Sequence, residues 1–180
     1  MLTLGDGRGW AHGEQKSPAG VNVASPLGQR VAANELAESF SAFNTNYLDT
    51  GLFGVTAVAE GGEQLEDLVW CIMYELTGLC YSVEEEDVTR AKNSLKSMMT
   101  LHTDGSSAIA EEIGRHTLCY GRRIPKAELF ARIDAVNADA VKAAAYKFIH
   151  DKELAIVAMG QTQFVPDYNW IRRRTFWNRF

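Results

Sequence analysis

A chain of 180 residues with 46% apolar and 23% charged residues suits one ordinary globular folding unit, with a core large enough to need no staples. The formal net charge is −5, yet the last eleven residues, "WIRRRTFWNRF", carry four arginines and no acid, which leaves the preceding body at −9. An acidic body argues against non-specific nucleic-acid binding, three cysteines without a C-x-x-C exclude a disulfide scaffold or zinc-finger spacing, and no apolar stretch reaches membrane-spanning length.

Residues 1–25 are Gly-rich, have little periodicity and read as a loop; they resemble neither a secretory signal nor an Arg-rich presequence. A short helix is expected over 26–38, with Pro26 in its first turn, where the missing N–H costs nothing. "SFSAFNTN" and "LFGVTAVA" then read as the strands of a hairpin, with Phe53, Val55, Ala57 and Ala59 on one face. The link 47–51 carries Asp and Gly, which supply side-chain turn bonds and positive φ. Over 63–81, Leu65, Leu68, Val69, Ile72, Met73, Leu76 and Leu79 form a helical stripe. Ser82 to Glu85 matches a capping box opening a helix to about 102, with Val88, Ala91, Leu95, Met98 and Met99 inward.

After "TDGSS" a helix is expected over 107–120, with Ile109, Ile113 and Tyr120 on one side. "GRRIP" turns the chain, and Pro125 starts a short helix with Leu129, Phe130 and Ile133. Asn137 caps the next helix, whose buried face is Val141, Ala144, Ala145, Phe148 and Ile149. "ELAIVAMG" reads as a strand buried on both faces, and the tail is aromatic and basic. The expected organisation is a Gly-rich segment 1–25, an α+β domain 26–165 and a tail 166–180. Three strands are few for so many helices, so the sheet is shared with other segments or part of the folding unit lies elsewhere.

Asp49-Thr50-Gly51 is the triplet that carries the catalytic carboxylate of aspartic proteases. Such an enzyme needs two carboxylates sharing a proton, and neither a second triplet nor an all-β pattern is present, so Asp49 reads as a turn residue. His12, His102, His116 and His150 form no His-x-x-x-His or His-x-x-Glu-His, and His116 with Cys119 reads as filler on one helical face. No nucleophile elbow and no phosphate-binding loop occurs. The acidic run 84–87 suits a helix start, where the dipole favours negative charge. Arg172 to Arg174 with Trp170, Phe176 and Trp177 read as a partner-docking cluster rather than a phosphate site. The residues alone describe an α+β domain with no complete active site.

Four stretches together resemble a known family: "GVNVASPLGQRVAANELAESFSAFNTNYLDTGLFGVTAVAE", "EEDVTRAKNSLKSMMTLHTDGSSAIAEEIGRHTLCYGRRIP", "RIDAVNADAVKAAAYKFIHDKELAIVAMG" and "VPDYNWIRRRTFWNRF". They are similar to the second half of the pitrilysin/insulinase-type zinc metallopeptidases, in the branch holding the β subunit of mitochondrial processing peptidase and core protein I of ubiquinol–cytochrome c reductase (complex III). The resemblance runs in order from about residue 19 to 180. It implies one N-terminally incomplete half of a pitrilysin-type subunit, with a mainly antiparallel sheet flanked by helices. Asn44, Tyr47, Asp49, Thr50, Gly51, Gly54, Arg122 and Arg123 are implied as structural motif positions.

The family's zinc motif, His-x-x-Glu-His, belongs to the first half. The resemblance therefore implies no cofactor in this chain, with zinc in the N-terminal half or a partner chain. Some relatives carry an Arg followed seven residues on by a substrate-touching Tyr; seven residues after Arg30 stands Ala37, so no catalytic residue carries over. The longer Gly-rich substrate loop of the α subunit is also absent. Two functions are implied: a structural core component of complex III on the matrix side of the mitochondrial inner membrane, or the non-zinc half of a metalloendopeptidase that removes presequences. The implied partners are the N-terminal half of the subunit, an α/core II-type subunit, other complex III subunits and presequence peptides. A free-standing binding module would need the chain to fold alone, and the implied lack of an opening strand and helix speaks against that.

Overall fold

Ser25 begins the first well-defined helix by accepting a hydrogen bond from the Gly28 amide (3.1 Å), with Pro26 next to it in the first turn. In the computed structural model, which describes residues 6–8, 25–47 and 49–176, this helix is α1, Pro26–Ala33. It stops earlier than its apolar pattern suggests. The Asn34 side chain donates back to the Arg30 carbonyl (2.9 Å) and Glu35 takes a left-handed φ of 52°, which an L-residue cannot repeat along a helix. The turn aims Leu36 and Ala37 into the core and feeds the hairpin.

The hairpin is β2, Ser39–Asn46, against β3, Gly51–Val58, in antiparallel register with Phe40 opposite Ala57 and Ala42 opposite Val55. A third strand, β1, Asp6–Arg8, adds to the free side of β2, giving the order β1-β2-β3. It falls inside the segment expected to be loop. Three residues carry no readable period, and the open edge of β2 supplies the order they lack. At the turn, the Tyr47 amide donates to the Thr50 carbonyl (3.0 Å). The left-handed glycines among the described residues are Gly61, Gly62, Gly121 and Gly160, so the positive φ expected of Gly51 is not used.

Helices α2, Gln64–Tyr81, α3, Glu85–His102, α4, Ser106–Tyr120, α5, Lys126–Asp134, and α6, Ala138–Phe148, follow in order. The α2 stripe buries Leu68, Met73 and Leu76 together with Cys71 and Cys80, whose thiols burial pushes up. Cys119, by contrast, is exposed. The expected capping box does not form. Ser82 is instead the C-cap of α2, its hydroxyl donating to the Gly78 carbonyl (3.3 Å), and Glu84 occupies the cap position of α3 without a side-chain bond. Glu85 reaches across to accept from the Ala138 amide at the start of α6 (3.0 Å), and Asn137 Oδ1 accepts from Ala140 in the same turn.

The main core joins α1, the inner face of the hairpin, α2 and α6 through Leu27, Val31, Phe40, Leu68, Leu76 and Ile149, among others. Helix α7, Tyr168–Arg173, adds Ile171 to it. The class is α+β, an antiparallel sheet flanked by helices.

A further element departs from expectation. Residues 153–160 form no strand: Leu154 touches the core, but Val157 is 94% and Met159 fully exposed. A strand buried on both faces needs a ladder partner and a covering layer, and among the described residues none is hydrogen-bonded alongside it. The apolar run is present without a ladder partner among the described residues.

Candidate functional site

The motif positions fall into two separate places. Asn44 lies opposite Phe53 in the hairpin, and Tyr47, Asp49, Thr50 and Gly51 make its exposed tip. Asp49 forms no hydrogen bond or ion pair among the described residues, so nothing there resembles a carboxylate dyad. Gly54 has a steric role. The Phe43 ring lies over it from the opposite strand, and a Cβ on Gly54 would stand 2.9 Å from Phe43 Cζ. Phe43 is itself partly exposed, so the contact organises the outer face of the sheet rather than the core.

Arg122 and Arg123 belong to the corner between α4 and α5. Gly121 ends α4 in the left-handed conformation (φ 69°), the usual glycine terminator, and turns the chain there. Arg122 grips Glu128 with both terminal guanidinium nitrogens (2.9 and 2.8 Å), and Arg132 adds a third bond (2.7 Å). The Arg122 hydrogen bonds, supported by Arg132, hold the Glu128 carboxyl at about 2, well below the usual carboxylate range. A depressed folded-state value stabilises the fold above the ordinary carboxylate value of 4.5 and loses that contribution as pH falls toward 2. The expected result is a wild-type advantage over Glu128→Gln in melting temperature that is present at about pH 6 and vanishes by about pH 2.

Three features escaped sequence reasoning. The first is the pair Arg30 Nε to Glu75 Oε1 (2.8 Å), which links α1 to α2 with Arg30 stacked over Tyr74 at 4.3 Å. Burial pushes the Glu75 carboxyl up against the pull of Arg30. An acid inside the apolar stripe of α2 was the available signal. The second is an aromatic group around His150, stacked on Tyr146 at 4.1 Å with Phe176 4.9 Å away. Tyr146 and His150 stand at the i,i+4 spacing of one helical face, which was the available signal, whereas Phe176 comes from the tail, too far along the chain to show a spacing.

The third is the seat of the tail. Arg172 binds the Asp151 carboxylate (3.0 Å) and carbonyl (3.0 Å), Thr77 donates to the Arg174 carbonyl (2.7 Å), and Arg174 stacks on Trp170 at 3.3 Å. Two of the three arginines expected to meet a partner are therefore used internally, while Arg173 is exposed. Trp177 lies outside the described residues.

A zinc centre needs three or four converging nitrogen, sulfur or oxygen donors. Among the described residues no group of three or more His, Cys, Asp or Glu side chains is placed to hold an ion. His116 and Cys119 stand on α4 without a third ligand, and the His116 ring faces Tyr120 at 5.9 Å. No helix of the described residues is long and apolar enough to cross a membrane.

Comparison with known proteins adds to this geometry. Residues 5–95 match the family model described as the peptidase M16 inactive domain. The chain is 63% identical over 161 residues to a probable mitochondrial-processing peptidase subunit beta of Arabidopsis thaliana, covering 89% of this chain and 30% of the relative. It is 46% identical over 160 residues to the mitochondrial-processing peptidase subunit beta of Mus musculus, covering 89% and 32%. It is 40% identical over 161 residues to cytochrome b-c1 complex subunit 1 of the same animal, covering 89% and 33%. The chain thus spans about a third of the length of these curated relatives. Among solved structures, a chain of complex III2 from Candida albicans superposes with a TM-score of 0.87 over 97% of this chain and 40% of that one, at 24% identity, a likeness of fold.

Proposed function

We infer the function from one premise: this chain belongs to the family of the peptidase M16 inactive domain. It serves as the C-terminal, non-catalytic part of a mitochondrial processing peptidase β/core I type subunit, a structural core component of ubiquinol–cytochrome c reductase. The observation that carries this reading is 40% identity to a cytochrome b-c1 complex subunit 1 across nine-tenths of the chain. Its work is to close one side of a chamber and to hold neighbouring subunits: the N-terminal half of its own subunit type, an α/core II-type subunit and other members of the complex. Its place is the matrix side of the mitochondrial inner membrane.

A second reading is favoured by a different number, the 63% identity to a processing peptidase β subunit. On that reading the same fold is the non-zinc half of an endopeptidase that removes presequences, with the metal and the attacking water held in the other half. The two readings share every contact derived above and differ in what the assembly does.

Native purification through a tag on this chain separates them. The core-component reading expects quinol-to-cytochrome c electron transfer to copurify with the chain, and no zinc bound to the chain after dissociation. Presequence cleavage with a zinc-bearing companion and without electron transfer would replace it by the second reading. A chain recovered free of any companion would defeat both.

A further inference from the structure

We propose that the α4–α5 corner is a docking surface for an acidic protein partner, an assignment that goes beyond the function proposed above. The last turn of α4 presents Leu118 at 88% and Tyr120 at 64% exposure, two large side chains left in water beside the Gly121 turn. Arg122, Arg123 and Arg132 follow, with one acid, Glu128, clamped between Arg122 and Arg132. Three guanidinium groups and one carboxylate give this corner +2 on a chain whose total is −5, so the rest carries −7.

The clamp has a consequence for binding. Glu128 fixes Arg122 and Arg132 in place, so they lose less side-chain freedom when a partner arrives than free arginines would. Arg123 is exposed and has no partner among the described residues, so it is the cation available for a new carboxylate. On α5, Lys126 donates to Thr103 and Asp134 pairs with Lys96, which ties that side of the helix to α3 and leaves Glu128 and Arg132 on another.

Arginine, tyrosine and a bare leucine together are the composition of an interface centre rather than of a solvated face. The acidic remainder of the chain selects among anionic partners. It repels an extended polyanion or an anionic membrane, while a compact acidic protein patch can meet the corner alone. A carboxylate also matches the planar fork of Arg123.

The test uses the chain in its native assembly, with a photoreactive benzophenone amino acid at position 118. The expected product is a protein crosslink whose partner peptide carries more Asp and Glu than Lys and Arg. Its yield should fall by about tenfold or more with Arg123→Glu and should be largely kept with Arg123→Lys. Because Arg123 has no bond among the described residues, Arg123→Glu should leave the amide-exchange protection of α2 in the core unchanged, which separates lost docking from lost folding. Crosslinks to lipid, to nucleic acid or to a second copy of this chain, no crosslink at all, or a protein crosslink indifferent to Arg123→Glu would each overturn the proposal.

Discussion

Phe40→Ala should cost about 3–5 kcal/mol, a large part of the stability of a domain this size. Phe40 is 2% exposed, on the inner face of β2, in the cluster that joins α1, the hairpin and α2. Its cross-strand partner is Ala57, and the next inward residue on β2 is Ala42. Small neighbours cannot swell to refill the space, so the loss combines the transfer energy of the ring with a persistent cavity. The check is the urea midpoint of the purified assembly together with the level of the chain in cells. An unchanged midpoint would mean that the core is organised around other residues.

The second large effect is local. Ile171→Ala should release the tail at a cost of about 2–5 kcal/mol in its docking equilibrium, speeding amide exchange over 168–176 by more than about 30-fold. Helix α7 has six residues, too few to hold itself in water, so its order depends on what it packs against. That support is Ile171 in the core, the fully buried Thr175, the Thr77 bond to the Arg174 carbonyl and the Arg172 clamp on residue 151. Asp151 adopts a left-handed φ of 53° and donates its amide to the Thr175 carbonyl (3.1 Å), so the clamp and the tail fix each other. Exchange that stays slow in the variant would show that the polar bonds suffice without the isoleucine.

Where the sequence was legible, local chemistry and tertiary packing agreed. The alternation of "SFSAFNTN" marks the observed bounds of β2, and β3 lies one residue from its expected position, because a strand with one buried face leaves a period of two. Asn137 caps α6 as expected because its bond spans three residues and needs nothing distant. Ser82 shows the limit of the same logic: its position suits a cap, but α2 extends to Tyr81 and claims it as a C-cap, and Glu85 prefers an amide fifty-three residues away. Tail docking and the Arg30–Glu75 pair were hidden for the same reason, since each is decided by contacts between segments far apart in the chain.

Of the candidate site, the sequence showed the motif positions but not how they are used. It did not show that Arg122 and Arg123 differ. Their sequence positions are adjacent, yet Glu128 engages one and leaves the other open.

Residues 153–160 bear on the central claim, that this chain works as a part assembled with other polypeptide and not as a free-standing domain. "ELAIVAMG" has the composition of a buried strand and an exposure that no stable isolated strand tolerates. We propose that a strand from polypeptide beyond the described residues completes the ladder. Hydrogen exchange at the amides of 155–159, in the isolated chain and in the native assembly, tests this most directly. The account predicts fast exchange in isolation and at least about 100-fold protection in the assembly. Equally fast exchange in both, or full protection in a cooperative, soluble isolated chain, would contradict it.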